Sequence, residues 1–397
     1  MQNKYNNIFL VIKTALSDIV ENDIEIDKNC IKDIFNIGVK HQILPMLFNG
    51  LNKINSNFEG KKVFEKLIFK YIYYDQMQLY NIELIEKAFN ENFVDYMLLK
   101  GASIKKIYPS SELRLMGDID ILINPAQYES AASIMSDFGF IEKKNTDHEW
   151  IWRNSNGIVV ELHKRLIPSY NDDYYAYFKD SWEKAKPSGV GSSYIMPPED
   201  EYIYFFTHLA KHYRDGGIGL KHLIDIWVFR KMHPLLDNAY ITKELKKLEL
   251  NVFHDNIIDT IRVWFDGEKE TELTNHITER IIESGVYGIK EKYDAANAAR
   301  KSACSSSVSS ARNKELIYSV FMPYSKMKTK YPVLRKCPFL LPIMWVVRWI
   351  DAIIQKPDNI KERSIRIKKI DKEIVENYRQ ELKLVGLAYN LKKASKN

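Results

Sequence analysis

Apolar and polar positions along the chain change period in a way that divides it into blocks. Up to about residue 93 the apolar residues recur at helical spacing. "IKDIFNIGVKHQILPMLFNGLNKI" (31–54) carries them near every 3.6 positions, with Pro45 breaking the run or starting a turn. "GKKVFEKLIFKYIYYDQMQLYNIELIEKAFNEN" (60–92) predicts one long helix ending near Asn92, with Gly60 before it and no proline inside. The period then shortens. "VDYMLLKG" (94–101) is a β-like run ending in Gly101, and "ASIKKIY" can form one or two helical turns. "PSSELRLMG" is a polar loop and "DIDILINP" a strand. "AQYESAASIMSDFGF" is a helix closed by Gly139; "HEWIWRN" and "GIVVELHKRLI" are two further strands, parted by the turn residues Asn154 to Gly157. Strand, turn, strand, helix, strand, strand is a compact α+β unit.

From Tyr170 onward helical spacing returns. "EDEYIYFFTHLAKHYRD" and "LKHLIDIWVFRKMH" read as amphipathic helices separated by the flexible "GGIG". "SACSSSVSSA" (302–311) is a low-complexity patch that reads as a loop or linker. "CPFLLPIMWVVRWIDAII" (337–354) is the most hydrophobic segment, but the stretch after Pro342 is too short to span a bilayer. It reads as a buried or partly buried helix, with an in-plane membrane helix as the alternative. "NIKERSIRIKKIDKEIVENYRQELKLVG" (359–386) predicts a long basic amphipathic helix. The N-terminal "MQNKYNNIFLVIKTALSDIVEND" has its apolar patch interrupted by Lys13 and reads as an amphipathic helix rather than a signal peptide.

Composition narrows the class. With 45% hydrophobic and 28% charged residues, 24 Tyr and 18 Phe, the 397 residues suffice for a large core and leave little scope for long disordered tracts. Residues 356–397 hold 12 Lys/Arg against 6 Asp/Glu, which accounts for the entire net charge of +6. A chain basic all over, as many nucleic-acid binders are, is excluded; a local basic tail remains. Cys30, Cys304 and Cys337 form no CxxC pair and no zinc spacing, so a reducing cytoplasm is the expected compartment and zinc is not expected.

The candidate chemistry lies in "RLMGDIDILINP" (114–125). Asp118 and Asp120 flank one isoleucine, so in a strand they share a face. Like charges that close repel unless a cation lies between them. In the later run "IVVELHKRL", Val159, Glu161 and His163 share one face. Were the two strands neighbours, Glu161 would meet both aspartates. Three carboxylates suit a hard cation, Mg2+ or Mn2+, and the phosphoryl or nucleotidyl transfer such ions support. A bare DxD is more often structural, but Gly117 allows close approach of a ligand and "KGAS" (100–103) offers a phosphate cradle.

"LLKGASIKKIYPSSELRLMGDIDILI", then "GF", then "VVELHKRL", resembles the uncharacterised bacterial nucleotidyltransferase family of the polymerase-β-like superfamily. The likeness extends to "GVKHQILPMLFNGL" upstream, and to "EYIYFFTHLAKHY", "LKHLIDI" and "YPVLRKCPFLLPIMWVVRWI" downstream; residues 98–166 carry its specific motifs. It implies a small mixed-sheet α+β nucleotidyltransferase core at 94–168. An N-terminal helical region (1–93), a helical domain completing the cleft (169–300) and a C-terminal helical region (311–397) would surround it. It implies Asp118, Asp120 and Glu161 as metal ligands and catalytic acids, with Glu161 positioning or deprotonating an acceptor hydroxyl. Gly101 and Ser103 match the phosphate-binding turn. Here Ala102 separates them and Gly101 lies 17 residues before Asp118, so "YPSSELRLM" must loop out. The expected partners are an NTP and an acceptor of unknown class: small molecule, saccharide or macromolecule. A lipid-carried saccharide in cell-envelope polysaccharide assembly would suit peripheral membrane contact through 337–397. The rival reading is a non-catalytic binding or scaffold protein that keeps the fold.

Other residues have weaker claims. Lys100 and Arg114 are candidates to neutralise triphosphate charge, or are surface residues. Lys105 and Lys106 read as solvated. His163 is a candidate to orient Glu161, to touch substrate, or to serve as a structural hydrogen-bonder. His208 and His212, at i and i+4, are candidate substrate contacts rather than zinc ligands, since no carboxylate partner is evident. Asp225, in an apolar helix, needs a partner, with Lys221 or His222 nearest in sequence.

Overall fold

The computed structural model describes residues 5–17, 26, 28–169, 171, 173–302, 317, 320–324, 327–328, 331, 333–355, 362, 365–366 and 369–388. The expected linker at 302–311 lies, beyond Ser302, outside the described residues. As the 3.6 period predicts, helices open the chain: α1 (Asn6–Ala15), α2 (Ile31–His41), α3 (Leu44–Ile54) and α4 (Lys61–Glu91). Pro45 sits in the first turn of α3, where its missing N–H costs nothing.

The sheet follows, with β1 (Tyr96–Leu98), β2 (Ile119–Ile123), β3 (Ile141–Asn145), β4 (Glu149–Arg153) and β5 (Val159–His163) in the order β1-β2-β5-β4-β3. It is mixed: β2 and β5 run parallel, and the other neighbours antiparallel. Between β1 and β2 lies α5 (Lys100–Ile104), and α6 (Tyr128–Asp137) precedes β3. The sequence reading missed β3. Its "IEKKN" is exposed along almost its whole length, so no apolar alternation marks it; charged residues also blunt this sheet edge against further pairing.

Side-chain alternation gives the sheet two different faces. Ile119, Ile121 and Ile123 join Val160 and Leu162 in a core shared with α6 and the C-terminal half of α4. On the other face, Met97 and Leu122 join a larger core that unites α1–α3 with the later helices. These are α7 (Tyr175–Phe178), α8 (Pro198–Arg214), α9 (Leu220–Met232), α10 (Asn238–Lys247), α11 (Asn251–Phe265), α12 (Glu272–Ser284) and α13 (Lys290–Ser302), with a two-residue hairpin, β6 (Lys186–Pro187) and β7 (Tyr194–Ile195), before α8.

Three expectations need correcting. From Leu220 to Phe229 every residue but His222 is buried, so α9 is a central helix buried nearly all round rather than an amphipathic surface one. The basic tail is not one continuous helix: Glu362, Ile365, Arg366 and Lys369 are helical, Ile370 and Asp371 interrupt, and the other residues of 359–368 lie outside the described residues. The helix Lys372–Leu384 docks on α13 through buried Val375, Tyr378 and Leu382. Its Glu381 accepts from Arg280 and from Lys292. The apolar segment does form a helix, Leu341–Gln355, but Phe339, Ile343, Val346 and Ile350 project into solvent rather than into a core. Among the described residues, no helix is long and apolar enough to cross a membrane.

Candidate active site

Parallel pairing of β2 with β5 sets Asp120 opposite Glu161 and Leu122 opposite His163. The strands are neighbours, so two of the three predicted carboxylates stand side by side on the face turned toward α8 and α9. Asp118 lies just before β2 and lines a pocket together with Asp120, Lys100, Gly101, Arg114 and Gly117; His208, Lys221, His222 and Asp225 form its far wall.

Asp120 is the buried centre. Its Oδ1 accepts from Lys100 Nζ at 2.6 Å and pairs with His163 Nε2 at 2.6 Å. Burial works against its charge, but Lys100 and His163 outweigh it and hold the carboxyl well below the usual carboxylate range. Both bonds fall on Oδ1; Oδ2 takes none among the described residues. Asp118 behaves oppositely. The Asp120 charge, then burial, then Glu161 push it up to about 6. His163 Nε2 also lies 3.5 Å from Glu161 Oε2 and so bridges the two acids. Burial and Lys100 oppose its protonation, but the bonds to Asp120 and Glu161 prevail and raise its pKa. One ligand atom from each of Asp120, Glu161 and His163 lies within 4.8 Å of the others. Asp118 lies outside this group, and a protonated His163 offers no lone pair, so the fit to a divalent cation rests on the open Asp120 oxygen, Glu161 beside it and the repelled Asp118 carboxylate.

The approach to β2 is built with care. Lys100 has φ 47, a left-handed conformation that costs a non-glycine residue about 1–3 kcal/mol. Its amine reaches Asp120 Oδ1 at 2.6 Å. A Cβ at Gly101 would stand 3.0 Å from Met116 Cβ, so glycine lets α5 lie against the segment that leads to Asp118. That segment does not loop out as expected. Tyr108, Leu113, Leu115 and Met116 are buried, and Gln78 of α4 donates to the Met116 carbonyl at 3.3 Å.

Arg114 anchors it from the other side. Its Nε and Nη2 reach Asp225 Oδ1 and Oδ2 at 2.6 and 2.7 Å, and its Nη1 donates to the Leu115 carbonyl. Tyr108 donates to Asp225 Oδ1 at 2.6 Å. The partners of Asp225 are therefore Arg114 and Tyr108, not Lys221 or His222; residues over 110 positions apart cannot be paired by helical spacing. Lys105, expected in solvent, is instead buried in an ion pair with Asp75. Lys106 is exposed, as expected.

The remaining predicted residues divide: His208 lines the pocket, while Ser103 and His212 do not. The Ser103 hydroxyl donates to Glu201 of α8 and does not face the carboxylates. His208 and His212 face each other, Nε2 to Nε2 at 3.0 Å, and burial, then neighbouring charged groups, keeps both neutral. The sequence reading considered Lys221 only as a partner for Asp225 and not as a pocket residue, a role whose signal is its place at the start of a helix after "GGIG". It passed over His148 and Glu149, which with His163 form a second potential ligand group. Burial holds His148 down to about 2, and its Nδ1, like that of His163, is buried without a partner among the described residues.

Against known families, the model described as "uncharacterised nucleotidyltransferase" matches residues 27–266, well over half the chain and every residue of this site. The chain belongs to the uncharacterised nucleotidyltransferase family. As a nucleotidyltransferase it is a transferase of phosphorus-containing groups with a nucleotide substrate, a class that generally uses divalent metals. No curated protein and no solved structure matches it. The match ends at the close of α11, so α12, α13 and the C-terminal helices of this nucleotidyltransferase lie outside it.

Proposed function

We propose that the protein transfers a nucleoside monophosphate from an NTP to an acceptor hydroxyl or phosphate, with Mg2+ or Mn2+ held by Asp118, Asp120 and Glu161. The observation that carries this reading is the Asp120–Glu161 register with Asp118 repelled beside it. In the transfer the acceptor oxygen bonds to the α-phosphorus and the bond to the β-phosphate oxygen breaks, releasing pyrophosphate. Glu161 orients the acceptor and takes its proton. Lys100 and His163 hold Asp120 through Oδ1, which leaves Oδ2 for the cation. The metal, when bound, offsets phosphate charge and aligns the reacting oxygens. Residues 94–168 form the catalytic core in this reading and 169–300 the helical wall of its cleft.

Calorimetry tests it: wild-type protein binds NTP only with Mg2+, and Asp118→Asn and Asp120→Asn lose that binding while keeping the far-UV CD spectrum. Absence of Mg2+-dependent NTP binding in the wild type refutes the reading. The non-catalytic alternative draws on the Lys100–Asp120 pair, which satisfies one acid without a metal. NTP binding without pyrophosphate release in cell extract would favour it.

For the acceptor we infer a substrate carried at an anionic membrane surface, such as a lipid-linked saccharide. The stripe Phe339, Ile343, Val346 and Ile350 supports this, with exposed Arg335 and Lys336 before it and the basic excess of 356–397 after it. The protein would act at the cytoplasmic face. Flotation with vesicles containing phosphatidylglycerol should carry the full chain, and Ile343→Glu with Val346→Glu should stay behind; equal flotation of both refutes the contact.

A further inference from the structure

Three cations line the pocket: Lys100, Arg114 and Lys221. Two are committed, Lys100 to Asp120 and Arg114 to Asp225. Lys221 is 9% exposed and forms no hydrogen bond or ion pair among the described residues. An unpaired ammonium kept nine-tenths out of water is costly unless a ligand completes its surroundings.

Its position makes the ligand anionic. Lys221 is the second residue of α9, a 13-residue helix whose first turn holds no acidic side chain and whose N-cap makes no side-chain bond. No acidic side chain offsets the positive end of this helix, although the Leu220 N–H is taken by His41 and the His222 N–H by the Gly219 carbonyl, and Lys221 adds a full charge to it. The first turn is held in place from behind: the Leu220 N–H donates to His41 Nδ1, while His41 Nε2–H donates to the Ile282 carbonyl. Asp118 and Asp120 face it across the same pocket. A carboxylate wall that takes cations, opposite a cationic helix start, is the polarity needed to hold a metal-bound phosphate chain between them.

We propose that the N-terminal turn of α9 with Lys221 is the seat of the polyphosphate tail of the nucleotide. It rests on the nucleotidyl-transfer reading, but the seat itself is specific for the phosphate chain and indifferent to the base. Lys100 and Arg114 already have their charges paired within the protein, with Asp120 and Asp225, which leaves Lys221 as the pocket cation without an ion pair among the described residues.

The test uses the full chain with Mg2+ and inorganic tripolyphosphate, compared with NTP and with the bare nucleoside. Lys221→Met removes an unpaired buried charge at similar length, so the variant should melt at or above the wild-type temperature without ligand. It should bind tripolyphosphate and NTP about ten- to a hundredfold more weakly, with nucleoside binding unchanged. Lys221→Arg should recover part of the loss. Unchanged tripolyphosphate affinity in Lys221→Met, no tripolyphosphate binding in the wild type, or a lowered melting temperature that marks Lys221 as a structural residue each overturns the proposal. Wild-type binding of tripolyphosphate that depends on Lys221, but without NTP binding, keeps the seat and refutes nucleotidyl transfer. NTP binding that ignores Lys221 does the reverse.

Discussion

Replacing Arg114 by methionine strands the Asp225 carboxylate inside the protein. The pair is bidentate, with contacts of 2.6 and 2.7 Å, and the side chains are 8% and 12% exposed. Removing one partner of a buried pair typically costs about 3–5 kcal/mol, because the other charge stays buried. Tyr108 keeps its bond to Oδ1, which places the expected loss at the lower end, about 3 kcal/mol. The double variant Arg114→Met with Asp225→Leu buries no charge and should regain most of this, less about 1 kcal/mol for the Tyr108 hydroxyl left without its acceptor. Urea unfolding followed by tryptophan fluorescence and far-UV CD measures both, provided the two probes give one transition. A single-variant loss under about 1 kcal/mol, or a double variant no better than the single, would falsify the view that this pair clamps the segment before Asp118 to α9.

Asp118→Asn relieves the repulsion that raises Asp118 to about 6. In EDTA at pH 7.5 the variant should be more stable than wild type by about 1–3 kcal/mol. A raised carboxyl pKa means that metal-free wild type loses stability as pH climbs from about 4 through 6, and Mg2+ should restore it; an unchanged melting temperature in Asp118→Asn argues against the repulsion. His41 is shifted the other way, down to about 4, by burial despite its bond to the Ile282 carbonyl. The unfolded chain takes up this proton first, so stability should fall as pH drops from about 6.5 to 4, by about 3 kcal/mol from this group. Its NMR titration should show a neutral ring at pH 5.5; a protonated ring there refutes the assignment.

How much of this was legible depends on distance along the chain. Helical spacing identified α4, α8 and α9, and the period of two identified β2, β4 and β5, because each pattern is local. The face shared by Asp120 and Glu161 was legible too, once the strands were taken as neighbours. What was hidden depends on contacts between remote segments: Arg114 with Asp225, Lys105 with Asp75, Ser103 with Glu201. Charge alone marks such residues as surface or ligand-binding, and a partner 30 to 111 positions away reverses the reading. The exposed strand β3 was invisible because it has no buried face to impose alternation.

The helix α4 carries a consequence for how the chain is made. Its first half contributes Phe64 and Ile68 to the larger core, and its second half gives Ile82, Ile85 and Phe89 to the sheet. During synthesis α4 leaves the ribosome before any strand exists, and β5 is complete only 72 residues after its end. At about 5–20 residues per second, its sheet-facing half waits roughly 4–15 s for its partners. The nascent chain thus shows a long, ordered apolar ridge for seconds, a ready target for a holding chaperone and the stage at which slowed translation would cost the most yield.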